Sequence, residues 1–168
     1  MVAVQLRCFS VLFAVCFTLL SGWSPSLGQS RLDGVVVTDH DDAVRAGMEI
    51  LEQGGNAVDA AVATAFSLAV VDPALSGLGG GGVMVVYRPE EKKAYALDFT
   101  AVSPAAAPAL YRADSQFYQN PPANGVLTVA VPGTVAGLAE ALKRFGRLPL
   151  ETVLLPAIRY AAEGFRVT

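Results

Sequence analysis

Residues 57–71 read AVDAAVATAFSLAVV, a stretch apolar nearly all round, and no other part of the sequence limits the fold as much. Asn56 can cap it as a helix, and Asp59, three residues on, completes the pattern of a capping box. Asp72-Pro73 ends it. A helix without a polar face has to be buried on several sides, so neighbouring layers are required. Its many alanines permit close approach by a sheet or another helix.

The neighbours are legible on both sides. Before it, residues 35–37 form a short β-branched run, and residues 38–42 (TDHDD) form a polar turn with several possible N-caps. Ala43, Val44, Ala46, Met48, Ile50 and Leu51 then have helical spacing, and Gly54-Gly55 supplies the stop. After it, the glycine-rich run 76–82 leads into Val83-Met-Val-Val-Tyr87. Residues 89–93 (PEEKK) make a solvated turn, and residues 94–99 return as the second strand of a hairpin. Residues 103–125, rich in Ala, Pro and Asn, read as loop with one helical turn near 107–111. Residues 126–131 read as a strand or extended segment stopped by Pro132-Gly133. Amphipathic helices follow over 134–145 and 150–163, ending at Gly146 and Gly164. Helix pair, hairpin, loop and helix pair predict a layered α+β or α/β arrangement.

The first 28 residues have a different character. Arg7 precedes an apolar segment, residues 8–20, and Ser26 and Gly28 occupy the small-residue positions before Gln29. The segment is shorter than the ~20 residues that span a bilayer. Residues 1–28 are therefore expected to be a cleaved signal peptide, leaving residues 29–168 exported to a periplasmic or extracellular compartment, with no membrane attachment after cleavage. Both cysteines, Cys8 and Cys16, lie in that leader, so the remaining chain would hold no disulfide, thiolate metal site or cysteine nucleophile. It carries 11 Lys and Arg against 15 Asp and Glu, a net charge of −4, without a basic run. Nucleic acid is not an expected partner.

Two motifs invite sharper readings. Gly77-x-Gly79-x-x-Gly82 has the spacing of a dinucleotide fingerprint, but that motif must open a helix, and here a strand follows. Close backbone packing, which only glycine permits, is the better reading. His40 among Asp39, Asp41 and Asp42 lacks both the calcium-loop pattern and the spaced ligands of zinc, so a capping and turn role is expected. No metal and no cofactor is expected. Glu90 to Lys93 read as a solvated hairpin tip, and Tyr111, Phe117 and Tyr118 as aromatics covering a core.

Five segments together resemble the γ-glutamyltranspeptidases (glutathione hydrolases). They are residues 47–63 (GMEILEQGGNAVDAAVA), 76–84 (SGLGGGGVM), 95–99 (YALDF), 131–138 (VPGTVAGL) and 144–149 (RFGRLP). They occur in the family's order and cover residues 35–168. The resemblance implies an α+β fold, part of an αββα N-terminal-nucleophile hydrolase sandwich that is incomplete in this chain. It implies a precursor that cleaves itself into two subunits, and this chain would be the N-terminal, large-subunit portion. A threonine at the new N-terminus of the small subunit would attack the γ-glutamyl amide of a small substrate such as glutathione and pass the acyl group to water, an amino acid or a peptide. None of Thr38, Thr64, Thr100, Thr128, Thr134, Thr152 or Thr168 sits in the family's nucleophile motif. No catalytic residue is therefore expected in this chain, which would be inert without its small-subunit segment.

One departure bears on substrate. The family has Arg-Glu after the Leu-Asp-Phe strand, the arginine gripping a carboxylate. Here Thr100-Ala101 stands instead. Thr100 is the candidate substrate-binding residue, and it offers a neutral hydroxyl where the family offers a charged fork. An acylase acting on a different amide and a non-catalytic remnant are the alternatives to a γ-glutamyltransferase or hydrolase.

Overall fold

Four helices and one hairpin make up the described fold: α1 (Asp41–Glu52), α2 (Ala57–Val71), strands β1 (Val83–Arg88) and β2 (Lys93–Asp98), α3 (Thr134–Phe145) and α4 (Leu150–Glu163). A computed structural model of the chain describes residues 34–105 and 125–167, together with residues 112, 114, 119 and 120. The expected signal peptide, the helical turn near 107–111 and the aromatics Tyr111, Phe117 and Tyr118 lie outside the described residues. The architecture is α+β, as the sequence predicts.

The helix α2 is the centre of the fold. It packs against α1, α3 and α4, and Val62 and Ala63 are wholly buried along it. Asn56 is its N-cap, accepting from the Val58 and Asp59 N–H groups at 2.8 and 3.1 Å, and Asp59 accepts the Asn56 N–H in return at 2.7 Å. The capping box thus forms as expected. One flank stays open. Ala57, Ala60, Ala61, Thr64, Ala65 and Leu68 face residues 34–38 across a groove of about 430 Å³.

The helix α1 starts at His40, whose Nδ1 accepts the Asp42 N–H at 3.2 Å. It ends at Glu52 with Gln53 as C-cap, and Gly54 follows at φ +89, a conformation open to glycine at little steric cost. The first and last of these helices are tied by Arg159 of α4, whose guanidinium meets Glu49 of α1 at 2.6 and 3.3 Å. Tyr160 donates to the Asp42 carbonyl at 3.0 Å.

The hairpin pairs Met84 with Leu97 and Val86 with Tyr95 on the face that joins the core. Val83, Val85 and Tyr87 stand exposed on the other face, because successive side chains of a strand point to opposite sides. Residues 34–39 form no strand: they join no ladder among the described residues, since a strand exists only with a partner. Residues 126–131 also differ from the expected strand. Val126–Thr128 is a 3₁₀ turn, and Val131 alone pairs, with Val102.

Candidate functional site

The end of β2 is where the structure gathers the motifs of the sequence. Phe99 exchanges backbone hydrogen bonds with Gly82, donating at 2.9 Å and accepting at 3.4 Å, so the hairpin ladder runs one step beyond β1 and β2. The chain then turns at Thr100 and rejoins at Val102, which exchanges two backbone bonds with Val131 at 2.8 and 3.1 Å. From there Pro132-Gly133 leads into α3, and the Gly133 and Thr134 N–H groups both donate to the Gly80 carbonyl, at 2.9 and 3.2 Å. The glycine run, the Phe99–Thr100 corner and the start of α3 are thereby one structural unit.

Glycine is required by contact at several points of this unit. A Cβ on Gly81 would lie 2.7 Å from Phe99 O and overlap the Ala101 nitrogen, and one on Gly133 would overlap Phe99 O. A Cβ on Gly137, one turn into α3, would overlap the Phe99 ring. Phe99 is therefore clamped between the glycine run and α3. The close-packing reading of the glycines holds for Gly81 and Gly82, while a Cβ on Gly77 would make only ordinary contacts, the nearest at 3.9 Å, and Gly79 has open space around it. The strand β1 follows the run directly, so no helix N-terminus stands where a dinucleotide would need one.

Thr100 is exposed at the corner. Its N–H and its hydroxyl both donate to Oδ1 of Asp98, at 3.0 and 2.6 Å. The Thr100 hydroxyl, and after it the Thr100 N–H, hold the Asp98 carboxyl below the usual carboxylate range. Asp98 is the residue that sequence reasoning passed over. Its signal was present, because an aspartate two residues before a threonine is the spacing at which a carboxylate bonds the backbone two residues on.

The other candidates have structural places elsewhere. His40 caps α1, the capping role expected of it. Glu91 at the hairpin tip pairs with Arg88 at 2.8 Å and Lys92 takes φ +52, so the tip is a turn with a local ion pair. Among the described residues, no helix is long and apolar enough to cross a membrane.

The fold is similar to that of solved enzymes of two kinds, a transpeptidase and an acylase. The gamma-glutamyltranspeptidase of Helicobacter pylori superposes with a TM-score of 0.67 at 36% identity, over 79% of this chain and 38% of that one. A cephalosporin acylase from Bacillus halodurans superposes with a TM-score of 0.64 at 40% identity, over 75% of this chain and 23% of that one. The sequence profile of the gamma-glutamyltranspeptidase family matches residues 43–168. The glutathione hydrolase proenzyme of Pseudomonas aeruginosa is 46% identical over 147 residues, 86% of this chain and 26% of that protein. The chain belongs to the gamma-glutamyltranspeptidase family. It spans about a quarter of the length of that curated relative.

Proposed function

We propose that this chain is the N-terminal, large-subunit portion of an exported γ-glutamyltransferase or glutathione hydrolase, and that it supplies part of the acyl-donor site while the nucleophilic threonine comes from a small-subunit segment. Membership of the family over residues 43–168 carries this reading. On it, the hairpin belongs to an αββα sandwich, and the exposed face of Val83, Val85 and Tyr87 is the face a second sheet covers. Residues 1–28 act as the signal peptide on the same reading. The chain alone is inert, and γ-glutamyl amides such as glutathione are substrates of the whole protein, with water, amino acids or peptides as acceptors.

Thr100 stands at the corner where the family carries its carboxylate-binding arginine. That substitution favours a second reading, an acylase whose donor is not γ-glutamyl, as the name of the Bacillus halodurans relative suggests. The two readings separate in one experiment on the full-length protein. Denaturing electrophoresis should show the precursor splitting into two chains. The paired change Thr100→Arg with Ala101→Glu should then raise γ-glutamyl anilide turnover. A precursor that never splits refutes the N-terminal-nucleophile reading. Turnover that does not rise with the paired change refutes the role given to Thr100.

A further inference from the structure

The Thr100 corner is an acceptor. A hydroxyl has one proton to donate, and that of Thr100 is spent on Asp98, 2.6 Å away, as is its backbone N–H at 3.0 Å. What Thr100 still offers to a ligand is lone pairs, and beside them stands a carboxylate that its own hydrogen bonds keep ionised. The cations of the surrounding elements, Arg88, Lys93, Lys143 and Arg144, lie at the ends of β1, β2 and α3 away from the corner. Residues 76–87, 94–105 and 125–142 contain no lysine or arginine, and their two acids are Asp98 and Glu140. Glu140 is paired with Arg144 at 2.6 Å. Arg112, the sole cation between residues 105 and 125, is 3.3 Å from Asp114. The competing positive potential is the start of α3 beside Thr100, about half a unit charge, and two of the N–H groups there already donate to Gly80. The full charge of Asp98 outweighs it.

The corner is also held in place. Gly81 and Gly133 press on the backbone of residues 99–101 from two sides, so the Asp98–Thr100 pair is presented by a fixed turn.

We propose that Asp98 is a specificity-determining residue of this site: together with Thr100 it receives a hydrogen-bond-donating nitrogen group of the acyl donor, an ammonium foremost, and turns a carboxylate away. The inference rests on the reading of the corner as part of an acyl-donor site. It names the substrate class for that site as acyl groups bearing an amine, of the 4-aminobutyryl type, in preference to acyl groups bearing only a carboxylate, of the glutaryl type.

The test compares kcat/KM of the full-length protein on 4-aminobutyryl and glutaryl p-nitroanilide. An exposed carboxylate attracting one group and repelling the other should separate them by about tenfold. Any acid in the site would produce such a ratio, so the variant decides. Asp98→Asn removes the charge at an exposed position and should bring the ratio down severalfold, while Thr100→Val, which leaves the charge and removes only the neutral hydroxyl, should lower it less. A glutaryl donor that equals or exceeds the amine overturns the proposal, and so does a ratio that Asp98→Asn leaves unchanged. If a folded protein turns over neither these anilides nor a γ-glutamyl anilide, the acyl-transfer reading fails separately. Calorimetric binding of the same two anilides then reads the preference, with tighter binding of the amine sustaining the inference and equal or absent binding overturning it.

Discussion

The Asp59 carboxylate in the first turn of α2 accepts the backbone N–H of Arg147 at 3.0 and 3.1 Å, joining residues 88 positions apart. It also accepts from Leu148 at 3.2 Å and from Asn56 at 2.7 Å, and Asp59 itself is completely buried. Asn56 adds a bond in the other direction, its Nδ2 donating to the Phe145 carbonyl at 2.6 Å. The residues that start α2 therefore also organise the turn from α3 to α4. Gly146 makes room for this, since a Cβ there would lie 2.6 Å from Asp59 Oδ1.

Removing that carboxylate should be costly. Asp59→Ala leaves three part-buried N–H groups without their acceptor and also takes a negative charge from a helix N-terminus. Each lost partner costs about 1–3 kcal/mol, and because the donors share one acceptor a total of roughly 3–5 kcal/mol is expected. Asp59→Asn keeps the shape but turns an amide group toward the donors, and should lose nearly as much. Equilibrium denaturation of the full-length protein checks both. A loss below about 1 kcal/mol would mean that the carboxylate is not the joint described here.

Much of this arrangement was legible from local signals. The bounds of α2, α3 and α4 coincide with their expected spans, because each ends at Asp72, Gly146 or Gly164 and because the apolar spacing is strong. The hairpin was legible from alternation and a charged tip. What was not legible is non-local. Asn56 and Asp59 read as a capping box, but nothing in the sequence announces Arg147 and Leu148 as partners. Residues 34–38 and 126–131 have strand-like composition, yet strand formation depends on a partner that composition does not supply. At the site, Thr100 was singled out by resemblance alone, while Asp98, which fixes its hydroxyl, passed as an ordinary strand residue.

The hydroxyl of Thr64, buried on α2, has no hydrogen-bond partner among the described residues. A buried hydroxyl without a partner costs free energy that a methyl group of the same shape does not. Thr64→Val should therefore raise stability by about 1 kcal/mol, read as a higher denaturation midpoint with an unchanged slope. A fall in stability would show that the hydroxyl is bonded in the whole protein, across the groove between α2 and residues 34–38.

The Asp98–Thr100 bonds should respond to acid in a defined direction. The folded-state pKa of Asp98 is depressed below its ordinary 3.8, so the stabilisation is fully present above the unfolded value and is lost as pH falls through the lower, folded one. In an NMR titration the Thr100 amide should keep its hydrogen-bonded shift through pH 3.8 and lose it only at lower pH. A midpoint at or above 3.8 would mean that the hydroxyl does not favour the ionised carboxylate. Thr100→Val, which removes the leading cause of the shift, should move the midpoint upward.

The glycines around Phe99 make contacts of two kinds, and a pair of substitutions tells them apart. At Gly137 the atoms nearest an added methyl belong to the Phe99 side chain, whereas at Gly133 they are the Phe99 carbonyl and the Thr100 carbonyl oxygen, the latter at 3.3 Å. Each alanine alone should destabilise by about 1–3 kcal/mol through overpacking. Removing the ring changes only one of them. Phe99→Ala takes away Cγ and Cδ1, two of the three atoms nearest an added methyl at Gly137, so Gly137→Ala should cost less on that background than on the wild type. Gly133→Ala should cost the same on both, because the backbone it strikes is still there. The double-mutant cycles should thus give a coupling of about 1 kcal/mol for residues 99 and 137 and none beyond error for 99 and 133. Equal coupling in both cycles would show that the clamp acts through the ring alone. In that case the backbone of Thr100 would be free to move, and the fixed turn that presents Asp98 would have no structural basis.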